Sequence, residues 1–110
     1  MGRRTANWKS TLVAIAAGGT AQAIMASSNP DRYVTDFEIH VDSTNGGPAF
    51  IGPSDVDTTT YIPRGKGTTT AFTSGHGEQL ADIGFDLSKV YLISATTNDK
   101  IYVQYRKLAF

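Results

Sequence analysis

Residues 33–42 alternate one by one between apolar and polar side chains. Phe37, Ile39 and Val41 fall on one side, with Asp36, Glu38, His40 and Asp42 on the other. A period of two belongs to a β-strand with one buried face, and a helix would scatter the same apolar residues around its surface. Such a strand needs partners, because its backbone N–H and C=O groups must be paired if its apolar face is to leave water. Residues 90–95 and 100–106 supply two more runs rich in Val, Ile and Tyr, residue types that favour strands. Thr96-Thr97-Asn98-Asp99 lies between them, and Asn and Asp tolerate the left-handed conformation of a tight turn, so this pair is expected to form a hairpin. In its second strand Ile101, Val103 and Tyr105 share one face.

The remainder of the chain is read around these strands. Residues 10–26 are Ala-rich, but Gly18-Gly19 in the middle costs a helix about 1 kcal/mol per Gly relative to Ala. Two strands are expected instead, over 11–17 and 21–26, joined as a hairpin through Gly18-Gly19-Thr20. Turn signals follow at Asn29-Pro30, Asn45-Gly46-Gly47-Pro48, Gly52-Pro53-Ser54, Pro63-Arg64-Gly65 and Ser74-Gly75-His76-Gly77, close to the spacing of a sandwich or barrel. Residues 49–51 read as a strand. Thr58–Thr60 and Thr68–Thr70 read as strands or extended edges. One helical turn is expected near Asp86-Leu87-Ser88-Lys89. The fold class is therefore all-β: a small antiparallel β-sandwich, jelly-roll-like. Residues 1–9 are expected to form an extended N-terminal arm, and 10–110 a single domain, in keeping with a length of 110 residues.

Composition narrows the functional classes. Ten basic and ten acidic residues cancel, which argues against a nucleic-acid binder. Without cysteine, neither a disulfide nor a thiolate nucleophile is available. Arg3 and Arg4 ahead of the apolar residues 12–17, with Ala21-Gln22-Ala23 beyond, have the outline of a secretory signal. Gly18-Gly19-Thr20 breaks the apolar run, however, so the segment is read as part of the fold. No stretch approaches the ~20 apolar residues of a membrane-spanning helix, and no membrane partner is expected.

Little in the sequence points to catalysis. Glu38, His40 and Asp42 offer two carboxylates and an imidazole on one strand face, a set that a metal could use. The plainer reading, an exposed strand face, is the expectation. His76, between two glycines, is a poorly positioned base. Ser54-Asp55-Val56-Asp57 has the start of a calcium loop without the Gly and Glu that complete it. Gly65-Lys66-Gly67-Thr68 lacks the spacing of a phosphate loop. Tyr91, Tyr102 and Tyr105 read as cross-strand packing before a base-stacking platform. No cofactor, catalytic residue or transition metal is expected.

One longer pattern is shared with known proteins. Asn45 to Val56 reads Asn-Gly-Gly-Pro-Ala-Phe-Ile-Gly-Pro-Ser-Asp-Val, followed by Tyr61-Ile62-Pro63-Arg64-Gly65 and later by Asp86-Leu87-Ser88-Lys89-Val90-Tyr91. This resembles small tailed-phage virion proteins of the capsid decoration, or cement, type. Arg64 stands where their pattern runs Pro directly into Gly. The resemblance implies a β-sandwich on the capsid surface of a virion, made in the host cytoplasm. It also implies binding to the major capsid protein or other virion subunits, without catalytic residues. A homo-oligomer is expected, a trimer first. A tail, head–tail connector or fibre subunit is the alternative, and a carbohydrate- or calcium-binding sandwich using Asp55 and Asp57 is a further one. The residues expected to make the contacts are Arg3, Arg4 and Trp8 of the arm, with Asp36, Glu38, His40 and Asp42 of the acidic strand face.

Overall fold

A computed structural model describes residues 8–73 and 84–107. Arg3, Arg4, the remainder of the expected arm before Trp8, and His76 lie outside them. The alternating segment forms strand β3, Tyr33–Val41, with Phe37, Ile39 and Val41 buried and Asp36, Glu38 and His40 on the opposite face. A register shift between Val34 and Asp36 acts as a bulge and brings Val34 to the buried side as well.

The strands form two antiparallel sheets. In the first, β1 (Trp8–Ala14), β8 (Lys100–Lys107), β3 and β5 (Thr69–Thr73) lie in that order, and β6 (Phe85–Asp86) pairs the start of β3. In the second, β7 (Tyr91–Ser94) lies between β2 (Gln22–Ala23) and β4 (Ala49–Gly52). Strands β1 to β4 alternate between the sheets, the arrangement of a jelly-roll sandwich. The all-β sandwich read from the sequence is the observed fold, and no helix occurs among the described residues.

The inward faces meet in one core. Ile15, Val34, Ile39, Val41, Leu87, Leu92, Ile101 and Val103 are fully buried there. Phe37 stacks on Phe72 at 4.9 Å between ring centroids and meets the ring of Phe85 edge-on at 5.1 Å. A second, smaller cluster lies on the other side of the β2-β7-β4 sheet. Phe50, Val56 and Ile93 are buried in it, with Tyr61 and Tyr91 packed against them. Residues 53–61 thus fold back over the outer face of that sheet.

Several expected elements differ in detail. The two hairpins are absent: β1 pairs with β8 and β2 with β7, while β8 lies between β1 and β3. Both short connections carry the chain from one sheet to the other. The reason is a close approach. A Cβ on Gly18 would collide with the Ala95 carbonyl oxygen, and Gly19, at φ 83°, donates its N–H to the Ser94 carbonyl at 2.7 Å. The Gly-Gly pair is therefore seated against the β7–β8 turn and does not close a hairpin of its own. The expected helical turn at residues 86–89 is a side-chain-capped turn, in which Asp86 Oδ1 accepts from the N–H and hydroxyl of Ser88. Thr58–Thr60 turn around Asp57 and are not extended, whereas Thr69 and Thr70 do begin β5. Trp8 and Lys9, assigned to the arm, are the first residues of β1, opposite Arg106 and Tyr105.

A buried polar cluster holds these crossings. Asp99, almost fully buried, accepts from the Ser94 hydroxyl at 2.9 Å and from the Gly46 N–H at 2.9 Å. Asn45 bonds both the N–H and the C=O of Lys100, each at 2.8 Å. Two substitutions probe the two kinds of support. Phe37→Ala, which removes the ring between Phe72 and Phe85, is expected to destabilise by about 3–5 kcal/mol. Asp99→Ala, which leaves the Gly46 N–H without its partner, is expected to cost about 2–4 kcal/mol. Urea unfolding of both variants checks these values, and a loss within experimental error of zero contradicts either assignment.

Candidate functional site

The outer face of the β1-β8-β3-β5 sheet carries side chains in rows across the strands. The first row runs Trp8, Arg106, Asp36, Thr73, the second Ser10, Gln104, Glu38, Ala71, and the third Leu12, Tyr102, His40, Thr69. In the first row Arg106 grips Asp36 with two nitrogens, Nε to Oδ1 at 3.1 Å and Nη2 to Oδ2 at 3.2 Å. The same guanidinium lies 5.8 Å from the centre of the Trp8 ring, in cation–π range. In the third row His40 Nδ1 is 2.8 Å from Thr69 Oγ1, and the His40 and Tyr102 rings are 6.3 Å apart. Glu38, His40, Thr69, Tyr102 and Gln104 line a half-open depression of about 340 Å³.

Trp8, Leu12 and Tyr102 are 47%, 48% and 43% exposed on this face. Exposed aromatic and aliphatic side chains set among polar ones are the composition of a contact surface. The four described contact candidates on β1 and β3 (Trp8, Asp36, Glu38 and His40) share this face. Asp42 lies just beyond β3. Its carboxylate accepts from the Thr44 N–H at 3.0 Å and from the Tyr102 hydroxyl at 3.4 Å, and the Thr44 N–H bond is the main cause holding its pKa below the ordinary value. The face is not simply acidic, since Arg106 neutralises Asp36. Reading β3 alone missed Leu12, Tyr102 and Gln104, because a sequence pattern assigns a residue to a face without naming the neighbouring strand.

Beneath one edge of the sandwich, Asp31 receives Lys9 at 3.1 Å, Lys107 at 3.0 Å and the Tyr105 hydroxyl at 3.3 Å. Its pKa is lowered, first by Lys107 and then by Lys9. This carboxylate ties the β2–β3 loop to the strands β1 and β8.

The groups considered for metal or calcium chemistry are placed otherwise. Among the described residues, no group of three or more His, Asp or Glu could hold a metal ion. Asp57 caps its own turn, accepting from the N–H groups of Thr60 at 2.7 Å and Thr59 at 2.9 Å and from both their hydroxyls. These bonds, led by the Thr60 N–H, lower its pKa to about 2. Asp55 instead faces the Tyr61 hydroxyl at 3.5 Å.

No family model matches the chain, and no curated protein matches it. Among solved structures it is similar to an RmlC-like cupin protein from Desulfovibrio desulfuricans, with a TM-score of 0.49, 16% identity and coverage of 96% of this chain and 76% of that one. It is also similar to a protein of Bacillus endospore appendages, which form disulfide-linked pili, with a TM-score of 0.49, 20% identity and coverage of 97% and 93%.

The Asp57 cap gives a pH dependence of defined sign. A carboxylate whose folded pKa is depressed adds stability above its unfolded pKa and loses it as pH falls toward the folded value. The stability difference between the wild type and Asp57→Ala is therefore expected to be full near neutral pH and to shrink between about pH 4 and about pH 2. Urea titrations at several pH values measure it, and a difference that stays constant across this range contradicts the assignment.

Proposed function

We propose that this chain is a structural virion protein that binds and stabilises a phage capsid through the outer face of the β1-β8-β3-β5 sheet. The observation that carries the reading is the inequality of the two outer faces. Residues 53–61 cover one with Phe50, Val56, Ile93 and Tyr61, whereas the other leaves Trp8, Leu12 and Tyr102 open. The resemblance of residues 45–56, 61–65 and 86–91 to small tailed-phage virion proteins supports this class of assembly.

In this reading the chain works by contact and not by chemistry. Aromatic side chains supply area at low entropic cost, while the Arg106–Asp36 pair and Glu38 set the register against a shell subunit. The depression of about 340 Å³ at His40 and Tyr102 suits a protruding side chain of a partner. A subunit of the tail or connector would use the same face, and copy number separates the two.

Particles purified from cells that make the chain are expected to contain it in proportion to their shell protein. A few copies per particle would favour the tail or connector, and its absence would overturn the reading. Tyr102→Ala is expected to lower retention on the particle by about tenfold or more while leaving the fold intact. Unchanged retention contradicts the choice of face.

A further inference from the structure

We propose that two copies of this chain pair through β1, edge to edge and antiparallel, across a two-fold axis at Ser10. The inference goes beyond attachment to a particle and concerns what the chain does before it attaches.

β1 ends its sheet, paired on one side with β8 and, among the described residues, with no strand on the other. Which of its backbone groups are open follows from one bond. The Ile15 N–H donates to the Asp99 carbonyl at 2.8 Å, so strand alternation turns the N–H and C=O of Val13, Thr11 and Lys9 toward β8. Those of Leu12, Ser10 and Trp8 point away. The Ala14 carbonyl, which also points away, is already taken by Gln22 Nε2 at 3.1 Å. The free ladder therefore runs from Trp8 to Leu12.

Natural sheets guard such edges with proline, a bulge, a very short strand, or charged side chains, Lys above all, including inward-pointing ones. β1 has neither proline nor bulge and is seven residues long, and its one such charge is Lys9. Its register with β8 is continuous from Trp8–Arg106 to Ala14–Lys100, and it contains no proline. Its single charge, Lys9, is held by Asp31 on the opposite face. An edge of this length, with its one Lys neutralised by Asp31, is a template for another strand.

A second copy fits that template. With Ser10 opposite Ser10, Trp8 of each copy stands opposite Leu12 of the other, and the open backbone groups of all three residues are paired. Trp8 and Leu12 are the two exposed large apolar side chains of the strand, and cross-strand pairs with an aromatic member stabilise sheets. Charge permits the same register. Arg106 is already paired with Asp36, and Leu12 brings Tyr102 and His40 in the next strands. The two copies of Glu38 are kept apart by Gln104 and Ser10 on either side. A register slipped by two residues sets Trp8 opposite Ala14, which loses the Trp–Leu contact and needs the carbonyl that Gln22 holds. The outer faces of the two sheets then form one continuous surface.

The test uses the full chain without particles, so its failure leaves the particle-binding reading standing. Sedimentation velocity is expected to show a monomer–dimer equilibrium. Amide exchange is expected to show Trp8, Ser10 and Leu12 gaining protection in step with the dimer, while Thr11 and Val13 are protected at every concentration. Ser10→Pro removes an N–H that faces the open edge and spares the bonds to β8. It is expected to raise the dissociation constant by about a hundredfold or more. Leu12→Lys should do the same if the proline variant does not fold. A chain that stays monomeric, a trimer, exchange independent of concentration, or a dimer of unchanged affinity in both variants would each overturn the proposal.

Discussion

The Asp99 carboxyl sits where the chain has to leave one sheet and enter the other. It accepts the Ser94 hydroxyl from the end of β7 and the Gly46 N–H from the β3–β4 loop, while its own backbone carbonyl takes the Ile15 N–H beyond β1. A buried polar group is favourable only when its bonds are made, so these bonds fix three chain segments relative to one another. Asn98, at φ 74°, supplies the left-handed step that this turn needs. Because β8 starts at Lys100, its alignment with both β1 and β3 depends on how that turn is held. The core rows of Ile101, Val103 and Tyr105 opposite Val41, Ile39 and Phe37 follow from it.

With the crossing fixed, the two sheets differ in how their outer faces are covered. The β2-β7-β4 sheet is covered on both sides, by the main core and by residues 53–61. The turn in that covering segment is closed by Asp57, whose carboxylate serves structure and not a ligand. Among the described residues, the β1-β8-β3-β5 sheet is covered on one side only. Its outer rows combine exposed Trp8, Leu12 and Tyr102 with the Arg106–Asp36 pair, which is satisfied within the chain, and with Glu38. A partner can cover Arg106 and Asp36 without leaving either unpaired, whereas Glu38 requires a donor from that partner.

The buried faces of β3 and β8 were legible in the sequence, because a period of two assigns a residue to a side whatever strand lies next to it. So was the shared outward direction of Asp36, Glu38 and His40. Strand partners were not legible. Thr96-Thr97-Asn98-Asp99 has the chemistry of a hairpin turn, yet the Ser94–Asp99 bond and the Gly18 contact with Ala95 send the chain to the other sheet. A signal of that difference was present, since Tyr91-Leu92-Ile93 is apolar at successive positions and β8 alternates. A strand apolar on both sides is one buried on both sides, and here residues 53–61 provide the second cover. The rows that join Leu12, Tyr102 and His40 depend on contacts between strands far apart in the chain, which no local pattern encodes.

The proposed binding surface is the open face of the β1-β8-β3-β5 sheet. Hydroxyl-radical footprinting of the chain free and on purified particles tests it at single residues. Tyr102 and Gln104 are expected to lose reactivity on the particle, while Tyr61 and Ile62, in the β4–β5 segment, keep theirs. Protection of Tyr61 and Ile62 with Tyr102 unchanged would contradict the account.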